Sequence, residues 1–320
     1  MRSREREKTH NGTGTGLPGA HQPEWSLTPS FLDFLGTASF DPVAGAGILV
    51  AAALYLLGIR AAGRRGTAWP LLPTLGFFVL GLGSWAWVSF GFLGAWSVDL
   101  RWAFTTRIAL LLFVVPALLS LGRPVELARA ALAGRALRGV NAVLGSWFVR
   151  LVGNAVFAPL FAIAAFLVFL TPFAFVLRSN PAAEGSLTLL VPLVGLLMVL
   201  PITDHALIRT SLFITAEFML AFVELVMDAI PGILLRLNET VLDGAPALVG
   251  SFPAWFPSPL WDQHLSGDFL WFIAEVADIP VLIILFLRWN RTDRHEAKQL
   301  DELSDEEMAA LTAEHLRRAP

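Results

Sequence analysis

The chain has 320 residues, of which 55% are hydrophobic and 15% charged, with a formal net charge of -3 and a mean hydropathy of +0.64. Soluble domains carry about a quarter charged residues, so this composition excludes a water-soluble fold and points to a bilayer. The near-neutral balance offers no basic face for nucleic acid, and the absence of cysteine excludes a disulfide framework, a thiolate metal site and a cysteine nucleophile.

Residues 1–41 read as a polar, disordered N-terminal tail without the basic, apolar and small-residue succession of a secretory signal. A helix needs about 20 apolar residues to cross roughly 30 Å of hydrocarbon. Seven segments meet that length within 42–289: about 42–60, 70–93, 102–121, 152–177, 187–206, 210–235 and 268–288. Between the third and fourth, residues 124–150 alternate small apolar residues with arginines at helical spacing, which predicts a short helix on the membrane face. Between the sixth and seventh, residues 237–267 hold four prolines with Trp255 and Trp261, which predicts an external cap. After Asn290 the composition turns polar, and Ser304 followed by Asp305, Glu306 and Glu307 starts a short helix in a tail, 290–320.

Basic residues near span ends set the orientation. Arg60, Arg64 and Arg65, then Arg123, Arg129, Arg135, Arg138 and Arg150, then Arg288, Arg291 and Arg294 all fall on one side, against Arg101, Arg178 and Arg236 on the other. The expectation is an all-α integral membrane protein. It is a seven-helix bundle with the N-terminus outside and the C-terminal tail in the cytoplasm.

Ionisable side chains in hydrocarbon turn to the bundle interior and take a partner. Arg107 is the arginine inside the third span. Glu217, Glu224 and Asp228, spaced seven and four, share a stripe of the sixth, and Glu275 with Asp278 share a face of the seventh. Counting depth along the helices pairs Arg107 with Asp228. The acidic stripe fits interhelical hydrogen bonding, or a pathway for protons or a metal cation that would make the chain a transporter or channel. Met198, Met219, Met227 and His205 are the soft-metal candidates, because thioether and imidazole suit Cu(I); methionine within a span is otherwise a packing residue. No Walker loop, H-E-x-x-H or G-x-S-x-G occurs, so no enzyme activity is expected.

Five stretches in order carry a resemblance. The first is Tyr55-Leu56-Leu57-Gly58-Ile59-Arg60 with Arg64, Arg65, Gly66, Trp69 and Pro70. The second is Val115-Pro116-Ala117-Leu118-Leu119 with Leu121-Gly122-Arg123-Pro124-Val125 and Leu127. Thr171-Pro172-Phe173 follows, then Gly195-Leu196-Leu197 to Pro201 and Asp204. The last is Asp262-Gln263 with Gly267, Trp271, Glu275 and Pro280, closing on Trp289, Asp293, Arg294, Glu296 and Ala297. Together, over about 41–300, they resemble the CtaG-type cytochrome c oxidase assembly factors, a seven-span bacterial family with copper delivery to the oxidase as its assigned role. The resemblance implies a haem–copper oxidase as the partner besides the lipid bilayer, and Cu(I) as the metal. The family's histidines at the start of span three are replaced here by Trp102-Ala103-Phe104-Thr105-Thr106-Arg107-Ile108, and His205 stands where a proline is usual. The resemblance therefore carries over the fold and not the copper ligands.

Overall fold

The computed structural model describes residues 31–152, 157–203, 219, 226–227, 229–245 and 255–301, and every regular element among them is helical. A short α1 (Phe31–Leu35) leads to α2 (Pro42–Arg64), α3 (Leu71–Ala95) and α4 (Arg101–Ser120). Two short helices follow, α5 (Pro124–Ala131) and α6 (Gly134–Leu144), then α7 (Trp147–Val152), α8 (Phe157–Leu167) and α9 (Phe173–Ser179). The last two are α10 (Pro181–Thr203) and α11 (Pro259–Asp301), and residues 229–237 are also helical. Among the described residues four helices are long and apolar enough to cross a membrane: α2, α3, α4 and the Pro181–Val199 part of α10. They coincide with the first, second, third and fifth expected spans.

Local chemistry explains these helices. Asp41 caps α2, its Oδ1 accepting from the Val43 and Ala44 amides at 2.8 and 3.0 Å, with Pro42 already in helical conformation at the first position. The helix stops where Gly66 turns left-handed at φ 80°. Inside α4, Pro116 has no amide hydrogen for the Leu112 carbonyl one turn earlier, and the backbone loosens into π-helical turns over Leu110–Val114. The freed carbonyl faces Gly195 of α10 so closely that a Cβ there would lie 2.0 Å from it. This glycine is what lets α10 lie against α4.

α4 is the axis of the bundle: 67% of its apolar stretch is buried, against 11–28% for the other three long helices. One side of it packs Leu111, Val115 and Leu119 with Tyr55 of α2 and Phe77, Trp85 and Val88 of α3. The other packs Phe104, Ile108 and Leu112 with Phe166, Phe169, Leu235, Leu270 and Ile273. The exposed apolar residues of the outer helices, such as Leu49, Leu72 and Val79, are what lipid-facing surfaces require.

Three sequence expectations take a different form. The fourth segment is interrupted, with α8 ending in a 3-10 turn before Thr171 and Pro172 and the chain restarting as α9. Residues 124–150 make two separate helices, α5 and α6, and the start of α7 rather than one helix. The segment 268–288 is the middle of one continuous helix, α11, so its first turns occupy part of the expected cap and its last turns pass the expected tail boundary at 290. Nothing breaks the backbone at either point, since Asp262 and Ser266 are tolerated in a helix whose first turns are buried against protein.

The first two family-like stretches meet at the end of the bundle where α2 finishes. The Tyr55 hydroxyl donates to the Gly122 carbonyl at 2.8 Å and accepts from the Trp69 indole at 3.0 Å, while Phe77 stacks on the Tyr55 ring at 4.0 Å. Gly122 must be glycine, because a Cβ would stand 2.6 Å from that of Phe77. Leu127 rests on Gly58, and the Arg65 guanidinium donates to the Leu132 carbonyl at 2.5 Å.

Candidate functional site

The opposite end of the bundle, where α2, α4, α10 and α11 begin, holds two adjoining polar networks. The first centres on Arg107, 2% exposed. Helical side chains lean toward the helix N-terminus, so the guanidinium is carried from one and a half turns deep in α4 back to the level of the helix starts. There Nη2 donates to Asp41 Oδ2 and to Thr188 Oγ1, both at 2.9 Å, and Nη1 donates to Glu184 Oε1 at 2.5 Å. Ser97 Oγ lies 2.8 Å from Glu184 Oε1. Asp41 thus has two jobs, one oxygen capping α2 and the other bonding Arg107. Glu184 sits in the first turn of α10, where the helix dipole favours a carboxylate. One cation is held between two acids contributed by two different helices.

The second network is built on the last family-like stretch. The Asp262 carboxylate accepts the amide hydrogens of Arg101 at 2.8 Å and Trp102 at 2.9 Å, and so caps α4 from another helix; Leu100, the cap residue itself, supplies no side-chain bond. Burial pushes the Asp262 carboxyl up to about 6, against the lowering effect of the two backbone bonds and of nearby Arg178 and Arg101. Gln263 is fully buried and satisfied. Its Oε1 accepts from Arg101 Nη1 at 2.6 Å and the Leu242 amide at 2.8 Å, and its Nε2 donates to the Thr240 carbonyl at 2.9 Å. Arg101 Nη2 also donates to the Phe169 carbonyl. Beside them Arg178 pairs with Asp243 at 2.9 Å, both buried, donates to the Val98 carbonyl and lies over the Phe175 ring. These bonds join α4, α9, α11 and residues 240–243 into one unit.

Gly267 finishes this arrangement. It faces Gly232 so closely that a Cβ on Gly267 would lie 2.4 Å from the Gly232 carbonyl, and one on Gly232 would lie 2.7 Å from that of Gly267. The two helices cross backbone to backbone, as small residues allow in membrane bundles. Trp96, Phe34, Trp102, Trp255 and Phe256 form an aromatic layer over the same end.

Several residues singled out in the sequence take other positions. The carboxylates that meet Arg107 are Asp41 and Glu184; Asp228, the partner expected from depth, lies outside the described residues, as do Glu217, Glu224, Asp204 and His205. Glu275 accepts from the Trp271 indole one turn earlier on its own helix, beside exposed Phe272, and lines a surface groove with Asp268 and Phe269. Asp278 belongs to α11, and its side chain lies outside the described residues. Met198 packs against the core around Phe104 and Phe166, Met219 is exposed, and Met227 is half-buried. Among the described residues no three of His, Cys, Asp and Glu converge as a metal site would need. The sequence reading passed over Asp41, Ser97, Arg101, Arg178, Glu184, Thr188 and Asp243 as partners. A usable signal existed: Asp41 and Glu184 both stand at helix starts on the arginine-poor side.

A sequence model of the cytochrome c oxidase caa3 assembly factor family matches residues 53–292. Uncharacterized proteins of Mycobacterium bovis and Mycobacterium tuberculosis are each 26% identical over 290 residues, covering 88% of this chain. The chain spans 43% of the length of these relatives. No solved structure matches it.

Proposed function

Because the chain belongs to the cytochrome c oxidase caa3 assembly factor family, we propose that it acts without catalysis, as a seven-span factor of the bacterial plasma membrane. In this reading it presents its Asp41 end, outside the cytoplasm, to a haem–copper oxidase subunit during assembly. The N-out, C-in orientation rests on the arginine asymmetry. The observation that carries the role is the family match through residue 292, which includes Asp262, Gln263 and Gly267, the residues that tie the Asp41 end together. Buried polar cross-links between several elements make a rigid end, and rigidity lowers the entropic cost of holding a partner.

Copper delivery is the finer form of this role, with Cu(I) as cargo. The methionines that could carry it are spread over the core and the surface, and Arg107 occupies the region where the family resemblance expects histidines. We therefore assign assembly to protein contact and leave copper to a direct test. A deletion strain should lose the haem difference spectrum of the assembled oxidase, the wild-type gene should restore it, and Gln263→Leu should restore it poorly at equal membrane abundance. A deletion strain with full oxidase activity refutes the role. Titration of purified protein with Cu(I) against a competing chelator, alongside His205→Ala and Met219→Ala, decides the cargo. Tight stoichiometric binding weakened by either substitution would return copper delivery to the mechanism.

A further inference from the structure

The end of the bundle away from Asp41 carries chemistry that the assembly role leaves unused. Arg60, Arg64, Arg65, Arg123, Arg129, Arg135, Arg138 and Arg150 are all exposed there, and residues 102–152 contain a single acid, Glu126. α6 has no fully buried residue: Leu137, Val140 and Leu144 are half-buried along one side while Arg135 and Arg138 are exposed. That pattern belongs to a helix lying in a membrane interface with its arginines among the headgroups.

Next to these helices an apolar groove of about 720 Å³ runs between α3 and the last turn of α4, lined by Leu72, Gly76, Val79, Leu80, Leu121 and Arg123 among others. Gly76 leaves its floor without a side chain, and Leu72, Val79 and Leu121 are 81%, 64% and 50% exposed, so the groove opens onto the hydrocarbon side. Arg123 is the charged residue of the lining. It sits where α4 has ended, held in a left-handed conformation at φ 53° before Pro124, with its guanidinium oriented by Glu126 at 3.0 Å. An apolar trough with a cation at its polar end, beside a surface of seven further exposed arginines, matches a molecule with an acyl chain and a negative head.

We propose that this groove binds an anionic phospholipid, its acyl chain lying along Leu72, Val79 and Leu80 and its phosphate at Arg123. Arg135 and Arg138 of α6 add to the field that favours a negative headgroup. A zwitterionic lipid fills the trough equally well but gains nothing from the arginines, so the discriminating quantity is headgroup preference. Each arginine near a lipid surface contributes about a fivefold preference.

The test is native mass spectrometry of the full chain released from micelles containing equal phosphatidylglycerol and phosphatidylcholine. Wild type should retain phosphatidylglycerol on the order of a hundredfold over phosphatidylcholine, from Arg123, Arg135 and Arg138 at about fivefold each. Arg123→Gln should cut that preference about fivefold, and the Arg135→Gln, Arg138→Gln pair should lower it while retention of lipid persists. Val79→Trp, which fills the trough and leaves every arginine in place, should reduce retention of both lipids. Thermal unfolding of each variant controls for folding, and if Arg123→Gln fails to fold, Val79→Trp carries the test alone. Equal retention of the two lipids by wild type, an unchanged preference in folded Arg123→Gln, or unchanged retention in folded Val79→Trp overturns the proposal. These readouts do not involve the oxidase, so they stand or fall separately from the assembly role.

Discussion

Replacing Arg107 with methionine keeps the volume and apolar stem of the side chain but leaves Asp41 and Glu184 facing each other without a cation. Removing one partner of a buried ion pair costs about 3–5 kcal/mol, because the remaining charge stays desolvated. Here the two carboxylates are 18% and 23% exposed and can recover some hydration. The lower end, about 3 kcal/mol, is therefore the expected loss. For a chain of this size that corresponds to a fall in melting temperature of roughly 4–5 °C, readable by thermal unfolding in mild detergent. The triple variant Arg107→Met, Asp41→Asn, Glu184→Gln removes the stranded charges together, and Asp41→Asn keeps an acceptor for the α2 cap. It should regain more than half of the loss, the coupling expected of groups in one network. A single variant that melts within about 1 kcal/mol of wild type, or a triple variant no more stable than the single, would refute the reasoning.

The Asp262 carboxyl, pushed up to about 6 from its ordinary 3.8, makes stability pH-dependent. Because the folded value lies above the unfolded one, its favourable contribution is fully present below pH 3.8 and is lost as pH rises through 6. The span amounts to about 3 kcal/mol at most. Asp262→Asn should flatten that part of the stability profile even if it lowers its height, and an unchanged slope between pH 4 and 6.5 by chemical unfolding, roughly the window of the shift, would count against the assignment. Gly267→Val places a Cβ 2.4 Å from the Gly232 carbonyl and should separate the crossing, with a loss of about 2 kcal/mol or more. Gly63→Ala, which meets nothing within 4 Å and lies in a helix, is the control and should melt no lower than wild type.

Hydropathy made the long helices legible, since their lengths follow from bilayer thickness. The place of Arg107 inside a span likewise pointed to a partner, with outward snorkelling as the alternative. What the sequence reading lacked was the direction of the side chain: counting depth at Cα positions put Arg107 level with Asp228, whereas the lean of the side chain toward the start of α4 delivers the guanidinium to the level of Asp41 and Glu184. Asp262 was found by resemblance alone, and no spacing rule could give its role, because it caps a helix that begins 161 residues away from it in the chain. Tyr55, Trp69 and Gly122 were likewise known only as letters of a shared pattern; their hydrogen bonds exist once α2, α3 and α4 have packed.

The unbroken course of α11 has a mechanical consequence. At 1.5 Å per residue the 43-residue rod is about 64 Å long, twice what a bilayer core requires, and it is pinned near one end by Asp262, Gln263 and the glycine crossing. Measured from Gly267, the far terminus at Asp301 lies about 50 Å away, so a tilt of roughly 5° about that pivot swings it by about 4 Å. A displacement at the pinned end would thus be carried along the helix to its far terminus, with no need for anything to pass between the two ends.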